Sequence, residues 1–171
     1  HADAERDQDL QPMLLQPGQA GTEQRLRLIA DDGGPAHPWD RSEVPADHQI
    51  RGLGPITISV PDLRPTQTVL TQVMGMRQTR SYASPDGEGQ VHVFQMGAGG
   101  AAAELHVAVQ PGLPVTRQGA GAVHHVAFRV PDVAAIHDWT QRLRDFRIPN
   151  SDEVERYYFR SLYFREPGGN L

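Results

Sequence analysis

Internal repetition constrains the fold of this chain more than any other feature. Ile56-Thr57-Ile58-Ser59-Val60-Pro61-Asp62 and Val126-Ala127-Phe128-Arg129-Val130-Pro131-Asp132 match at an offset of 132 − 62 = 70 residues. Self-similarity at a fixed spacing marks duplicated structural units, so whatever one copy folds into the other should approach. Each copy places β-branched or aromatic residues at alternate positions, the pattern of a half-buried strand. Each ends in Val-Pro-Asp. Proline lacks the N–H that a strand ladder needs, and aspartate can cap the helix that follows.

Apolar stripes at helical spacing follow both copies: Val69, Leu70, Val73 and Met74 after the first, and Val133, Ile136, Trp139, Leu143 and Phe146 after the second. Such stripes are read as core faces. Gly75 is a natural stop for the first helix. Strands are then expected at 77–83, 91–96 and 102–109, with turns at Ser84-Pro85-Asp86-Gly87-Glu88-Gly89 and at 97–100. The unit is therefore β-α-β-β-β. The second copy offers strands at 153–160 and 161–165 and a turn at Glu166-Pro167-Gly168-Gly169. An α+β fold is expected, in which tandem βαβββ modules form a cupped mixed sheet with helices on its outer face. Residues 50–112 make a complete module, and 113–171 a second module lacking its last strand. Residues 1–30, with Leu26, Leu28 and Ile29 in a strand-like run, read as the tail of a preceding module. Residues 31–49, rich in Pro, Gly and Asp, read as a linker.

Composition narrows the function classes. The formal net charge is −5, and the densest basic group (Arg142, Arg144 and Arg147) has Asp145 in its midst. A phosphate backbone would be repelled, so no nucleic-acid partner is expected. Cysteine is absent, which excludes disulfides and thiolate metal sites. No apolar run approaches the ~18 residues of a membrane span, and none is expected. The polar opening HADAERDQDL does not read as a signal peptide, so a cytoplasmic location is expected.

Three strings carry a family resemblance: Ile50-Arg51-Gly52; Val123-His124-His125-Val126-Ala127-Phe128-Arg129; and Ser161-Leu162-Tyr163-Phe164-Arg165-Glu166-Pro167-Gly168-Gly169. With the tandem βαβββ pattern, they resemble the vicinal oxygen chelate superfamily of glyoxalases, bleomycin-resistance proteins and extradiol dioxygenases. Within it the likeness is to two-domain, hydroquinone-type ring-cleaving dioxygenases. It covers 50–171 well and 1–49 weakly. It implies a non-haem Fe(II) site, or another divalent metal such as Mn or Zn, held by two imidazoles and a carboxylate. That set leaves coordination positions open for a phenolic substrate and O₂. The metal would acidify the substrate hydroxyl. The implied partners are a small aromatic substrate and O₂, in aromatic compound catabolism. A homodimer is compatible with the reading.

The resemblance also assigns residues. The superfamily's strand histidine lies seven positions before the Asp that ends the strand, which is His125 here, expected as a metal ligand. Alternation puts His124 on the opposite face, so a local bulge would be needed for it to act beside the site. Pro55 holds the matching position of the first copy and cannot ligate. His1, His37, His48 and His137 are read as solvated. Glu104, opening the last strand of the first module, is a second metal candidate, with an edge charge as the ordinary alternative. Tyr163 and Arg156 match residues that would handle a proton and an anionic ring oxygen. Cross-strand packing is the ordinary explanation of the aromatic cluster around Tyr163. The carboxylate of the site is expected just past Leu171, so this polypeptide alone is expected to be inactive and to bind divalent metal weakly. A glyoxalase-type lyase or isomerase is the second reading, marked by a functional Glu104. A metal-free module of the bleomycin-resistance kind is the third.

Overall fold

The computed structural model describes residues 38–85, 87, 89–112 and 123–171. The expected strand at 24–30 lies outside them. The chain divides into two compact units, one of His1–Gly54 with Gln118–Val123 and one of Pro55–Arg117 with His124–Leu171. The described part of the first unit contains a single 3₁₀ turn, Ala46–His48. Among the described residues no helix is long and apolar enough to cross a membrane.

The second unit opens with β1 (Ile56–Val60), α1 (Leu63–Thr68), a π-helical turn Val69–Val73, β2 (Arg77–Ala83), β3 (Gln90–Gln95) and β4 (Glu104–Val109). Asp62 caps α1 by accepting from Arg64 N–H. Gly75 leaves the helical turn at φ 69°, a conformation glycine adopts without strain. The sheet order is β1-β4-β3-β2. β1 and β4 run parallel and the other pairs antiparallel, giving a mixed sheet. Ile58, Val60, Leu70, Met76, Phe94, Leu105 and Val107 form its core. Strand alternation sends Arg80, Tyr82, Gln95, Glu104 and His106 to the opposite face.

The second copy contributes α2 (Val133–Asp145), β5 (Asn150–Glu155) and β6 (Arg160–Phe164), with β5 and β6 paired antiparallel. Asp132 caps α2 by accepting from Ala135 N–H at 2.9 Å. Only part of the expected stripe is inward. Ile136 and Leu143 are buried, whereas Val133 and Phe146 are about half exposed. Thr140 is buried instead, its hydroxyl donating to the Ile136 carbonyl. Phe146 and Trp139 lie against the aliphatic-guanidinium arm of Arg142. That guanidinium also donates to the carbonyls of Gln72 and Val73, holding α2 on the end of the π-helical turn. Arg144 pairs with Asp152. Two of the three clustered arginines thus serve the fold.

The expected strand at 126–130 departs from the reading. It has no ladder, and one backbone bond, Val126 N–H to the Leu171 carbonyl at 3.0 Å, ties it down. In the first copy the equivalent β1 is held along its length by β4. Among the described residues nothing occupies the β4 place beside 126–130. Burial still alternates as in a strand: Val126, Phe128 and Val130 are half-buried while His125, Ala127 and Arg129 are exposed. Val126 and Phe128 pack on the sheet core, so His125 belongs to the set facing away from it.

Candidate functional site

The β5–β6 hairpin positions the first group of side chains. Its register shifts between Asn150 and Glu153, and Asp152 takes a positive φ of 55°, which short polar residues tolerate. The irregularity lies across from Tyr163, whose N–H donates to the Ser151 hydroxyl rather than to a strand carbonyl. Bulges of this kind re-aim the opposing side chain. Arg156 follows β5 directly and closes the hairpin by donating its N–H to the Phe159 carbonyl at 2.8 Å.

Tyr163 is more acidic than an ordinary phenol. The Ser161 hydroxyl, on the same strand face two residues away, is the main cause; partial burial opposes it; Arg156 adds a hydrogen bond and its positive charge. Ser161 Oγ is buried and makes no hydrogen bond to the described residues in this geometry. It can therefore rotate toward the phenol. The rings of His125 and Tyr163 meet edge-on, 5.8 Å between centroids at 84°. His125 and Tyr163 are thus in ring contact, and the charge of Arg156 reaches the phenol.

His124 joins them. Its Nδ1 lies 3.0 Å from Nδ1 of His125, and the rings are perpendicular at 5.2 Å. One proton lies between the two nitrogens, so when both rings are neutral they hold opposite tautomers. The donor of the pair keeps a lone pair on Nε2, and the acceptor carries N–H there. With His125 as donor, its Nε2 can ligate or accept a proton while His124 offers an N–H. This is the usual orientation of a ligating imidazole, whose second nitrogen is held by a neighbour.

Glu104 sits in a separate cluster on the first sheet. Arg80 grips it with both arms, at 2.7 Å to Oε1 and 2.8 Å to Oε2. Gln95 donates to Oε1 at 2.7 Å, and His106 Nε2 lies 3.0 Å from Oε2. Tyr82 Oη lies 2.9 Å from His106 Nδ1. The Arg80 hydrogen bond chiefly holds the Glu104 carboxyl at about 2; burial opposes it, and His106 and Gln95 assist. The sequence reading missed Arg80, Tyr82, Gln95 and His106. Glu104-Leu105-His106 carried the signal, since alternate residues of a strand share a face.

Glu166, expected only as part of a turn, is buried, 8% exposed. It accepts from the N–H groups of Gly168 and Asn170, the Asn170 side chain and the Thr66 hydroxyl. It thereby ties the second module's last turn to α1. Arg165 donates to the Gly169 carbonyl. His48 is solvated beside Asp47. His137 is over half exposed but hydrogen-bonds Glu153, joining α2 to β5. His1 and His37 lie outside the described residues.

Among the described residues no group of three His, Asp or Glu is placed to hold a metal. Among the described residues His125 stands with His124 and Tyr163, and no carboxylate joins them, so the donors these residues bring together do not fit a metal.

Residues 52–171 match the family described as the Glyoxalase/Bleomycin resistance protein/Dioxygenase superfamily. MhqA of Bacillus subtilis (strain 168), provisionally named a ring-cleaving dioxygenase, is 43% identical over 150 residues, covering 86% of this chain and 47% of MhqA. The chlorohydroquinone/hydroquinone 1,2-dioxygenase of Sphingobium indicum is 32% identical over 151 residues, covering 82% of this chain and 43% of that protein. The chain thus spans about half the length of these relatives. A crystal structure provisionally described as a dioxygenase from Bacillus subtilis subsp. subtilis str. 168 superposes with a TM-score of 0.70 at 23% identity, over 99% of this chain and 54% of the other. The likeness to that structure is one of fold.

Proposed function

We propose, for a chain that belongs to the Glyoxalase/Bleomycin resistance protein/Dioxygenase superfamily, that it serves a ring-cleaving dioxygenase acting on hydroquinone- or catechol-like phenols. The observation that carries the reading is the edge-on pairing of His125 with Tyr163, an acidified phenol beside Arg156. Identity to a chlorohydroquinone/hydroquinone dioxygenase supports the substrate class. O₂ is the co-substrate, and a cytoplasmic homodimer accompanies the reading.

Each residue has a task in it. Tyr163 exchanges a proton with a substrate hydroxyl, for which a phenol with lowered pKa is better suited than an ordinary one. Arg156 pairs with an anionic ring oxygen through its planar fork. His125 offers Nε2, and His124 orients it through the shared Nδ1 proton. The superfamily reading adds Fe(II), Mn or Zn, with His125 as one donor. A metal at this place would need donors beyond those that the described residues bring there, so the tasks above are those of the chain's own side chains.

The glyoxalase-type alternative called for Glu104 as a ligand. The fork of Arg80 on both of its oxygens counts against that role. Reaction class is tested in the full-length protein with Fe(II), following O₂ uptake with hydroquinones and catechols, and isomerisation of a hemithioacetal. Ring cleavage with O₂ consumption supports the dioxygenase. Isomerisation without O₂ uptake would replace it with the lyase reading. Ligand binding without turnover would leave a binding module.

A further inference from the structure

The β5–β6 hairpin fits one residue too many opposite Tyr163. Glu153 is the partner of Leu162 and Asn150 the partner of Phe164, so Ser151 and Asp152 together face the single residue Tyr163. Two residues against one make a β-bulge. Regular pairing carried on from Glu153 would have set Asp152 directly opposite Tyr163. Directly opposed residues share a face, so a carboxylate would then stand beside the phenol. There it would compete with an anionic ring oxygen for Arg156. The bulge prevents this: Asp152 adopts φ 55° and its carboxylate pairs with Arg144 of α2 at 2.7 Å.

Short polar side chains hold the bulge in place. The Ser151 hydroxyl accepts from the Tyr163 N–H at 2.9 Å and donates to the Asp152 carbonyl at 2.7 Å. The Asp152 N–H donates to Asn150 Oδ1 at 2.9 Å, and the Asn150 amide donates to the Ile148 carbonyl at 3.0 Å. A regular ladder would have given the Tyr163 N–H a main-chain carbonyl; here a side-chain hydroxyl takes that place. A positive φ outside glycine is uncommon, persists where its surroundings hold it, and clusters at functional sites. Across from this one stands the tyrosine whose ring meets His125 edge-on at 5.8 Å.

We propose that Ser151 is a positioning residue: its hydroxyl holds the bulge that sets the Tyr163 ring against His125 and keeps Asp152 off that face. Its functional consequence rests on the dioxygenase reading, since Ser151 acts only through Tyr163.

The test reads the ring contact and turnover separately. In the full chain, the nuclear Overhauser cross-peak between the Tyr163 and His125 rings is expected in wild type, lost in Ser151→Ala and restored in Ser151→Thr, which keeps the hydroxyl. In the full-length protein loaded with Fe(II), Ser151→Ala is expected to lower kcat on hydroquinone by about 10-fold, within the ~10²-fold that misplacing a reacting group can cost. KM should change little, and Ser151→Thr should recover kcat. Circular dichroism establishes folding. A folded Ser151→Ala that keeps the cross-peak would overturn the proposal, as would a loss that Ser151→Thr does not restore. Should Ser151→Ala not fold, Ser151→Gly carries the same outcomes. Full turnover by Tyr163→Phe would remove the task given to Tyr163 and leave the ring-contact result to decide the positioning.

Discussion

Among the described residues, Tyr163 and Glu104 are the two side chains whose ionisation the fold changes most clearly, in ways that matter for different reasons. Tyr163 is held below the usual phenol value by Ser161 and then Arg156. If it donates a proton in the reaction, activity persists below its folded pKa and falls as pH rises through it. Arg156→Met is expected to move that alkaline limb upward, and Tyr163→Phe to lower kcat by about 10²-fold, within the range for one acid–base group. Ultraviolet difference titration of the tyrosines checks the shift without an activity assay; an unchanged curve in Arg156→Met would remove Arg156 from that role. For Glu104, the folded value of about 2 lies below the ordinary 4.5. Its stabilisation is therefore present above 4.5 and lost as pH falls toward 2. The shift corresponds to about 3 kcal/mol at face value, and to about 1–2 kcal/mol once screening at the half-exposed Arg80 is included. Urea midpoints of wild type and Glu104→Gln should converge in acid and separate near neutrality.

Between elements, the turn 166–170 carries more than its appearance in sequence implied. Glu166 lies beneath it, and Thr66 of α1 is one of the partners of the carboxylate. Thr66→Ala leaves a buried carboxylate short of a donor and should cost about 1–3 kcal/mol. Gly168 is confined differently: a Cβ there would meet Glu166 Oε1 at 2.6 Å and Val60 Cγ1 at 2.7 Å. Gly168→Ala should destabilise by about 1–3 kcal/mol through overpacking. Denaturant midpoints measure both, and a neutral Gly168→Ala would show that the turn can yield. These elements also mark where sequence reasoning succeeds. The Val-Pro-Asp endings located both helix starts, because an Asp cap is local chemistry. Alternation placed the strands of the first copy, but the strand expected at 153–160 runs instead over Asn150–Glu155, and 156–159 lie outside both β5 and β6. The π-helical turn at Val69–Val73 and the missing ladder at 126–130 depend on neighbours, and local pattern does not encode those. The candidates His125, His124, Tyr163 and Arg156 came from family motifs, and the structure shows ring contacts from His124 through His125 to Tyr163. Arg80's grip on Glu104 was not legible, since it joins residues 24 apart across two strand pairings.

For the molecule as a whole, the chain holds one complete βαβββ module and the α2, β5 and β6 elements of a second, in a superfamily whose relatives here are about twice as long. Its described residues gather an imidazole pair and an acidified phenol but no third metal donor. Calorimetric titration of these 171 residues with Zn(II) or Fe(II) is accordingly expected to show no tight, stoichiometric complex; such a complex would mean that the donors assemble within the chain. The most direct measurement concerns His125 itself. O₂ uptake with hydroquinone is compared between the full-length protein and its His125→Ala variant, both loaded with Fe(II) and both shown to be folded. The expected result is ring cleavage in the first and a loss of at least ~10²-fold in the second, the upper end of what loss of a ligand's mere neighbour costs. Equal turnover by the two would contradict the assignment of His125 to the reaction.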